Sequence, residues 1–228
     1  MRFNFPVRLV ASFAALALCA LAQPPAPATL YGRVEGDSYV SPTGTFKVLV
    51  PVLPELGGEI HDTENVVSFD DALNTHVSIA CFALDMTQKW EFETRGTREY
   101  LEYFYATFVL PDFMQRFPGT TTEAGQFIPQ LQGGALALYT LLPGGSAFAG
   151  RNLIIESPAA GPVVAKRGTL LLVHDLHIFA LSIELAERVT QPRIFHKTPE
   201  EENEILRNRL IELAGRMQFT APAPAEKS

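Results

Sequence analysis

Residues 169–183 read Thr169-Leu170-Leu171-Leu172-Val173-His174-Asp175-Leu176-His177-Ile178-Phe179-Ala180-Leu181-Ser182-Ile183. Two apolar runs enclose the polar sequence His174-Asp175-Leu176-His177, in which Asp175 is a residue type that favours tight turns. The pattern predicts a β-hairpin. Because a short hairpin joins antiparallel neighbours, this stretch predicts an antiparallel sheet.

Two more hairpins are predicted nearer the start of the chain. The first turns at Ser41-Pro42-Thr43-Gly44, where Pro fixes φ and Gly supplies a positive φ. The second turns at the polar loop 70–74. The segment 51–65 between the hairpins carries two prolines and the pair Gly57-Gly58, so we expect a surface loop there. The predicted strands are 39–40 with 45–50, and 66–69 with 76–82; later strands are 135–142 and 153–156.

An aromatic helix is predicted from residue 97, with Thr97 as its N-cap. Pro111 disfavours continuation beyond Leu110, although residues 112–117 could resume as a kinked turn. We interpret Tyr100 and Tyr103 as tyrosines at the edge of a core-facing stripe. That stripe consists of apolar residues at helical spacing: Leu101, Phe104, Tyr105, Phe108 and Val109.

A terminal helix is predicted over residues 199–217, with Pro199 in its first position. Glu200, Glu201 and Glu202 place negative charge at the positive end of the helix dipole, on a face expected to be solvated. The apolar face of this helix contains Ile205, Leu206, Leu210, Leu213 and Met217.

The order of elements predicts the fold class. Helices follow blocks of strands instead of alternating with single strands, so we expect an α+β fold with helices packed on an antiparallel sheet built from hairpins. We assign residues 31–219 to a single domain. Residues 23–30 and 220–228 are rich in Pro and Ala and are predicted to be tails.

The chain resembles the Mog1/PsbP-like superfamily over about residues 39–219. The resemblance is one of pattern and order, and we transfer no functional residue from it. It implies an antiparallel sheet sandwiched between helices and a non-catalytic role in binding or assembly. The stretches that carry it are Tyr39-Val40-Ser41-Pro42-Thr43-Gly44-Thr45-Phe46 with Val50-Pro51, Val67-Ser68-Phe69-Asp70-Asp71, the aromatic helix from Tyr100, and Leu210-Ile211-Glu212-Leu213-Ala214-Gly215-Arg216-Met217-Gln218-Phe219.

The first 22 residues are predicted to be a secretory signal peptide. Arg2 and Arg8 precede an apolar run over 9–21, which closes on Ala20-Leu21-Ala22. The run is shorter than the roughly 18 to 20 residues that span a bilayer, which disfavours an uncleaved anchor and a transmembrane segment in the mature chain. The alternative is a lipoprotein processed at Cys19. Either route predicts a periplasmic or extracellular protein of a bacterium.

Charge and cysteine content further limit the classes of function that the sequence supports. The chain has 18 basic and 25 acidic side chains, a formal net charge of −7, so nothing points to nucleic acid or an anionic membrane as partner. Cleavage after Ala22 removes Cys19 and leaves Cys81, which excludes an intramolecular disulfide. In an apolar strand Cys81 is expected to be a small buried hydrophobe, with an exposed reactive thiol as the alternative.

We predict no catalytic, cofactor-binding or metal-binding residue. His174 and His177 could contribute to a metal site, but the predicted turn favours solvent-exposed side chains. Asp70-Asp71 fits loop chemistry better than a calcium site, which needs alternating oxygen ligands. Ser146 lies in Gly144-Gly145-Ser146-Ala147-Phe148, where Phe148 replaces the second glycine of a hydrolase elbow.

The sequence therefore predicts a secreted, non-catalytic protein that binds or assembles with a protein partner in the cell envelope. The alternative is an enzyme or a small-ligand or metal-binding protein whose site combines distant residues such as His61, His76 and Cys81. A purely structural role is a third possibility. An exposed apolar patch would favour interaction, and whether Trp90, Tyr100 and Tyr103 form one depends on packing.

Overall fold

The structure, a computed structural model, describes residues 30–149 and 163–220. Within these ranges, the strands form two antiparallel sheets, one with the order β1-β2-β3-β11 and one with the order β4-β5-β6-β10-β9-β8-β7. The strands are β1 (Arg33–Glu35), β2 (Ser38–Val40), β3 (Phe46–Leu49), β4 (Glu59–Asp62), β5 (Val66–Asp70), β6 (His76–Ala83), β7 (Thr121–Ile128), β8 (Ala135–Pro143), β9 (Val164–His174), β10 (His177–Glu184) and β11 (Met217–Phe219).

Helices connect these strands at three places. A 3₁₀ turn at Pro54–Leu56 precedes β4, and a π turn at Tyr105–Val109 joins α2 to α3. The α-helices are α1 (Met86–Arg95), α2 (Thr97–Phe104), α3 (Leu110–Arg116), α4 (Glu187–Thr190) and α5 (Pro199–Gly215).

The hairpin predicted from residues 169–183 is confirmed and lies in the middle of the large sheet. β9 and β10 pair from His174 opposite His177 to Arg167 opposite Glu184. Asp175 and Leu176 form the two-residue turn with φ values of 46° and 58°. Positive φ at both central residues is the geometry that matches the twist of a hairpin.

The large sheet is apolar on both faces, so two layers cover it. Side chains alternate along a strand, and Leu171 and Ile178 accordingly pack with α2, whereas Leu170 and Leu181 pack on the face shared by α5 and the small sheet. The result is three layers with the large sheet in the middle. The predicted α+β class, an antiparallel sheet flanked by helices, is confirmed.

The small sheet is attached to the large sheet by aromatic and polar contacts. The ring of Tyr39 meets that of Phe69 edge-on at 5.9 Å, and Phe46 meets Phe179 at 6.0 Å. The Tyr39 hydroxyl also donates a hydrogen bond of 2.7 Å to Asp62 on β4. Burial raises the pKa of Asp62, but hydrogen bonds from the Gly32 amide, the Tyr39 hydroxyl and the Tyr31 amide outweigh it, and the net pKa is lowered.

The first two predicted hairpins are confirmed, but the segment between them is not a plain loop. β2 pairs with β3, and β5 pairs with β6, both antiparallel. The predicted loop 51–65 contains β4, which pairs with β5 at the edge of the large sheet. Its sequence Glu59-Ile60-His61-Asp62 has mostly polar residues because only one side of an edge strand is paired.

The aromatic helix differs from the prediction at both ends. Thr97 is its first residue, and Gly96, with φ 78°, takes the N-cap position. The sequence favoured an end at Leu110 but left a continuation over 112–117 open, and the chain does stay helical past Pro111, which falls in the first turn of α3, where a missing N–H is tolerated. Tyr100 is fully buried instead of lying at an edge, and Phe108 is exposed.

The terminal helix ends two residues earlier than predicted. α5 stops at Gly215, and Met217 belongs to β11, which pairs with β3. Leu206, Leu210 and Leu213 are buried as the apolar face predicted. α1, α4, β1 and β7 were not predicted; β7 is an edge strand whose residues are mostly exposed, so it lacks the apolar run that identifies an inner strand.

Glu202 does not lie on a solvated face as predicted; it is buried in an ion cluster. The fully buried Lys166 ammonium lies 2.6 Å from a Glu123 carboxylate oxygen and 3.1 Å from one of Glu202. Arg188 donates two hydrogen bonds to the same Glu202 carboxylate, at 2.7 and 2.9 Å. Charges that leave water need such partners, so this cluster ties α5 to β9 and β7.

Several predictions concern residues outside the described ranges: the signal peptide 1–22 with Cys19, almost all of the tail 23–30, the strand 153–156 and the tail beyond Thr220. These stay predictions. Within residues 30–149 and 163–220, we find no helix long and apolar enough to cross a membrane.

Replacing Lys166 with Met is expected to lower the free energy of unfolding by about 3 kcal/mol, because it removes the ammonium partner of the buried Glu202 carboxylate. Chemical denaturation monitored by circular dichroism measures the change. The control is Lys197→Met, which removes an exposed pair with Glu201 and should cost less than about 0.5 kcal/mol. Equal effects of the two substitutions would contradict the role given to the buried cluster.

Candidate functional site

Five exposed apolar side chains lie where β6 runs into α1, and we call this surface the apolar end. Met86 is 80% exposed, Trp90 61% and Phe82 40%. Val66 and Leu176 belong to the same end of the sheet and are also exposed. Trp, Met and Phe are side chains enriched at protein interfaces, and here they lie in water.

The local sequence explains how the apolar end is held. Val66 stands opposite Ala80 in the pairing of β5 with β6, and Phe82 follows two residues later on the same face of β6. The Leu84 amide donates to the Leu176 carbonyl at 2.8 Å, which brings the β9–β10 turn beside the start of α1.

α1 presents two of its apolar residues, Met86 and Trp90, outward. Asp85 and Gln88 form a capping box that fixes the first turn, and Met86 and Trp90 lie one turn apart on one side of the helix. No residue of α1 is buried. This helix was not predicted, although Asp85 followed by Gln88 three residues later is the sequence signal that could have located its start.

An aromatic cluster supports α1 from behind. Phe92 meets Tyr100 edge-on at 5.3 Å, and the Arg95 guanidinium lies 4.5 Å from the centre of the Tyr103 ring. Burial, together with the nearby charges of Asp85 and Tyr103, raises the pKa of Tyr100 to about 12, so its hydroxyl stays protonated. Tyr100 belongs to the core, and Phe92 and Tyr103 pack against it, so this cluster fixes the position of α1.

The opposite end of the large sheet is polar. His76 Nδ1 lies 2.5 Å from Asp70 Oδ1, and these residues face each other across β5 and β6. On β10 the buried Glu184 accepts hydrogen bonds from the Ser146 hydroxyl and the Ala147 amide. Burial lowers the pKa of the neighbouring Arg167 guanidinium, and the charge of Glu184 opposes that change.

An open cavity of about 180 Å³ lies at this polar end. It is bounded by the end of β10, the start of β6, helix α4 and the last turns of α5. Its lining combines charged side chains with apolar ones: His76, Glu184, Glu187, Arg209, Glu212 and Arg216, with Pro51, Val77, Ile183 and Leu213 between them.

The structure does not bring His61, His76 and Cys81 together. His61 is exposed on β4 beside Glu59. His76 and Cys81 are five residues apart on β6, so their side chains point to opposite faces of the sheet. Cys81 is buried, with its sulfur 3.5 Å from the Thr45 hydroxyl, and burial raises the pKa of its thiol. The expectation of a buried cysteine is met, and of the three residues only His76 borders the cavity.

The turn histidines make local contacts. The His174 ring stacks on Phe219 with centroids 4.5 Å apart, and His177 Nδ1 lies 2.8 Å from the Asp175 carbonyl oxygen. Among the residues that the structure describes, no group of three or more His, Cys, Asp or Glu side chains is placed to hold a metal ion.

The remaining candidate residues, Asp71 and Ser146, stabilise turns through hydrogen bonds. Asp71 accepts hydrogen bonds from the amides of Leu73, Asn74 and Thr75. Burial raises its pKa, but these hydrogen bonds outweigh burial and the net pKa is lowered. Ser146 accepts from the Phe148 amide while it donates to Glu184, which fixes the segment after β8 against β10.

Comparison with known proteins yields similarities of fold. No protein-family model matches the chain, and no curated protein matches it in sequence. Among solved structures, the chain is similar to cyanobacterial PsbP from Synechocystis, at 12% identity and a TM-score of 0.49, over 86% of this chain and 100% of that one. It is also similar to the Ran-binding protein Mog1p of Saccharomyces cerevisiae, at 9% identity and a TM-score of 0.43, over 84% and 96% of the two chains.

Both identities lie far below 25% and both TM-scores lie below 0.5, so these similarities assign neither a family nor a function to the chain. At these identities the similarity concerns the fold alone. It assigns no role to any residue of the apolar end or of the cavity.

Cys81 is expected to react with a thiol-specific disulfide reagent at least about tenfold more slowly in the native protein than in the unfolded chain, because burial and a raised pKa both reduce the exposed thiolate. A chain without residues 1–22 suits this test, because Cys81 is then its one cysteine. Equal rates in native and denaturing buffer would show that Cys81 is accessible.

Proposed function

We propose that this chain is an exported, non-catalytic binding or assembly protein that holds a protein partner at its apolar end. The observation that carries the proposal is the exposure of Trp90, Met86 and Phe82 around a rigidly capped helix start. Burying a large apolar side chain on binding contributes about 1.5 to 3 kcal/mol, and a few such residues dominate most interfaces.

A protein partner fits this surface better than an anionic membrane. The chain is acidic overall, with a formal net charge of −7. Asp85 and Asp175 lie beside the exposed side chains, and a surface of this kind lacks the basic cluster that binds anionic lipid. The proposal assigns no catalytic step, since the candidate nucleophile Cys81 is buried and its pKa is raised.

Trp90→Ala is expected to weaken partner binding by about 30-fold, the effect of losing an interface residue worth roughly 2 kcal/mol. The partner is first captured with tagged wild-type protein after mild crosslinking of the source cell envelope and identified by mass spectrometry. Its affinity for purified wild-type and Trp90→Ala proteins is then measured by isothermal titration calorimetry.

Ile194→Ala provides the matched control, because Ile194 is 76% exposed and lies between α4 and α5, away from the apolar end. The proposal predicts an unchanged affinity for this variant. Equal losses in both variants, an affinity that does not change with Trp90→Ala, or the absence of any stoichiometric protein partner would each overturn it.

The exported location is proposed from the sequence of residues 1–22. Intact mass spectrometry of the exported protein is expected to give the mass of a chain that begins at Gln23, with or without cyclisation to pyroglutamate. A lipid-modified chain beginning at Cys19 would establish the lipoprotein alternative. Recovery of the full-length chain from the cytoplasm would refute export by either route.

A further inference from the structure

The cavity at the polar end is large enough for a small molecule. Its volume is about 180 Å³, and an apolar cavity of roughly 150 Å³ takes up benzene. The size therefore suits a ligand slightly larger than benzene, well below the roughly 300 to 1,000 Å³ of pockets that bind drug-sized molecules.

Three core side chains form the apolar wall of the cavity. Val77 and Ile183 stand opposite each other on β6 and β10, and Leu213 of α5 completes the wall. All three are aliphatic and buried. An aliphatic group of a ligand would lose contact with water against them, which favours binding without directional requirements.

The rim carries both signs of charge on neighbouring side chains. Glu212 lies in the last turn of α5 and Arg216 directly follows the helix; the two form an ion pair at 2.5 Å, and their side chains are exposed. Water screens exposed pairs of this kind, so they contribute little to stability. They can therefore separate at little cost when a ligand offers a carboxylate to one and an ammonium to the other.

The remaining polar groups of the lining are held in place. Arg209 donates two hydrogen bonds to the Glu187 carboxylate, which fixes that side of the cavity. Asp70 contacts Nδ1 of His76, so Nε2 is the ring nitrogen on the side away from Asp70. With Glu184, Glu187 and Glu212 against Arg209 and Arg216, the lining does not have the positive excess that would select a simple anion.

From this arrangement we infer that the cavity binds a small zwitterion with an aliphatic side chain, such as a free aliphatic α-amino acid. The carboxylate would pair with Arg216, the ammonium with Glu212, and the side chain would lie against Val77, Ile183 and Leu213. Two charge-assisted interactions and the apolar contact together would select the ligand over molecules that offer only one of them.

Isothermal titration calorimetry with three probes of the same carbon skeleton tests the inference on the purified exported protein. L-Leucine carries both charges, 4-methylpentanoate only the carboxylate, and 3-methylbutylamine only the ammonium. We expect leucine to bind about two- to fivefold more tightly than either of the others, because each of them lacks one of the two contacts with exposed charged side chains.

Arg216→Gln and Glu212→Gln are each expected to weaken leucine binding about two- to fivefold. The matched controls are Arg98→Gln and Glu102→Gln, which open an exposed pair of the same helical spacing on α2 and should leave leucine binding unchanged. All four side chains are exposed, so folding, checked by thermal denaturation, should be preserved.

Three results would overturn the inference: no leucine binding at millimolar concentration, equal binding of 4-methylpentanoate and leucine, or equal effects of the α5 and α2 substitutions. The second result would identify an anion site instead. Neither the probes nor the variants contact the apolar end. Failure of this inference therefore says nothing about the proposed partner binding, which the Trp90→Ala measurement tests separately.

Discussion

The central hairpin constrains the whole molecule because it is apolar on both faces. Leu170 and Leu172 point to one side of the sheet and Leu171 to the other, so neither face can be left to water. One helix layer, α2, covers one face, and α5 with the small sheet covers the other. At Gly168 a Cβ atom would lie 3.0 Å from Leu210 and 3.1 Å from Leu206, which shows how closely α5 rests on the backbone of β9.

The two ends of this sheet differ in chemistry because different constraints act there. At one end β6 passes directly into α1, and the exposed Phe82, Met86 and Trp90 are held by a capping box and an aromatic cluster. At the other end β6, β10, α4 and α5 border a cavity, and His76 in its lining contacts Asp70. A partner at the first end and a small ligand at the second could therefore be bound at the same time.

The sequence predicted those elements whose conformation is determined by residues close together in the chain. The turns at Ser41-Pro42-Thr43-Gly44 and Asp175-Leu176 carry their own conformational preferences, and the hairpins follow from them. α1 and β7 were not predicted because neither has a continuous buried face. Glu202 was assigned to a solvated face because its partner Lys166 is 36 residues away, and the cavity likewise combines residues from 51 to 216 that no spacing rule connects.

The pairing of β11 with β3 joins the two ends of the domain. Phe219 stands opposite Phe46, and the Thr220 amide donates to the Thr45 carbonyl at 2.9 Å. The small sheet is thus built from the first and the last strands of the domain. Because β11 follows all the other strands in the chain, the small sheet stays incomplete on the ribosome until the whole domain has been synthesised, and contacts of such long sequence separation slow folding.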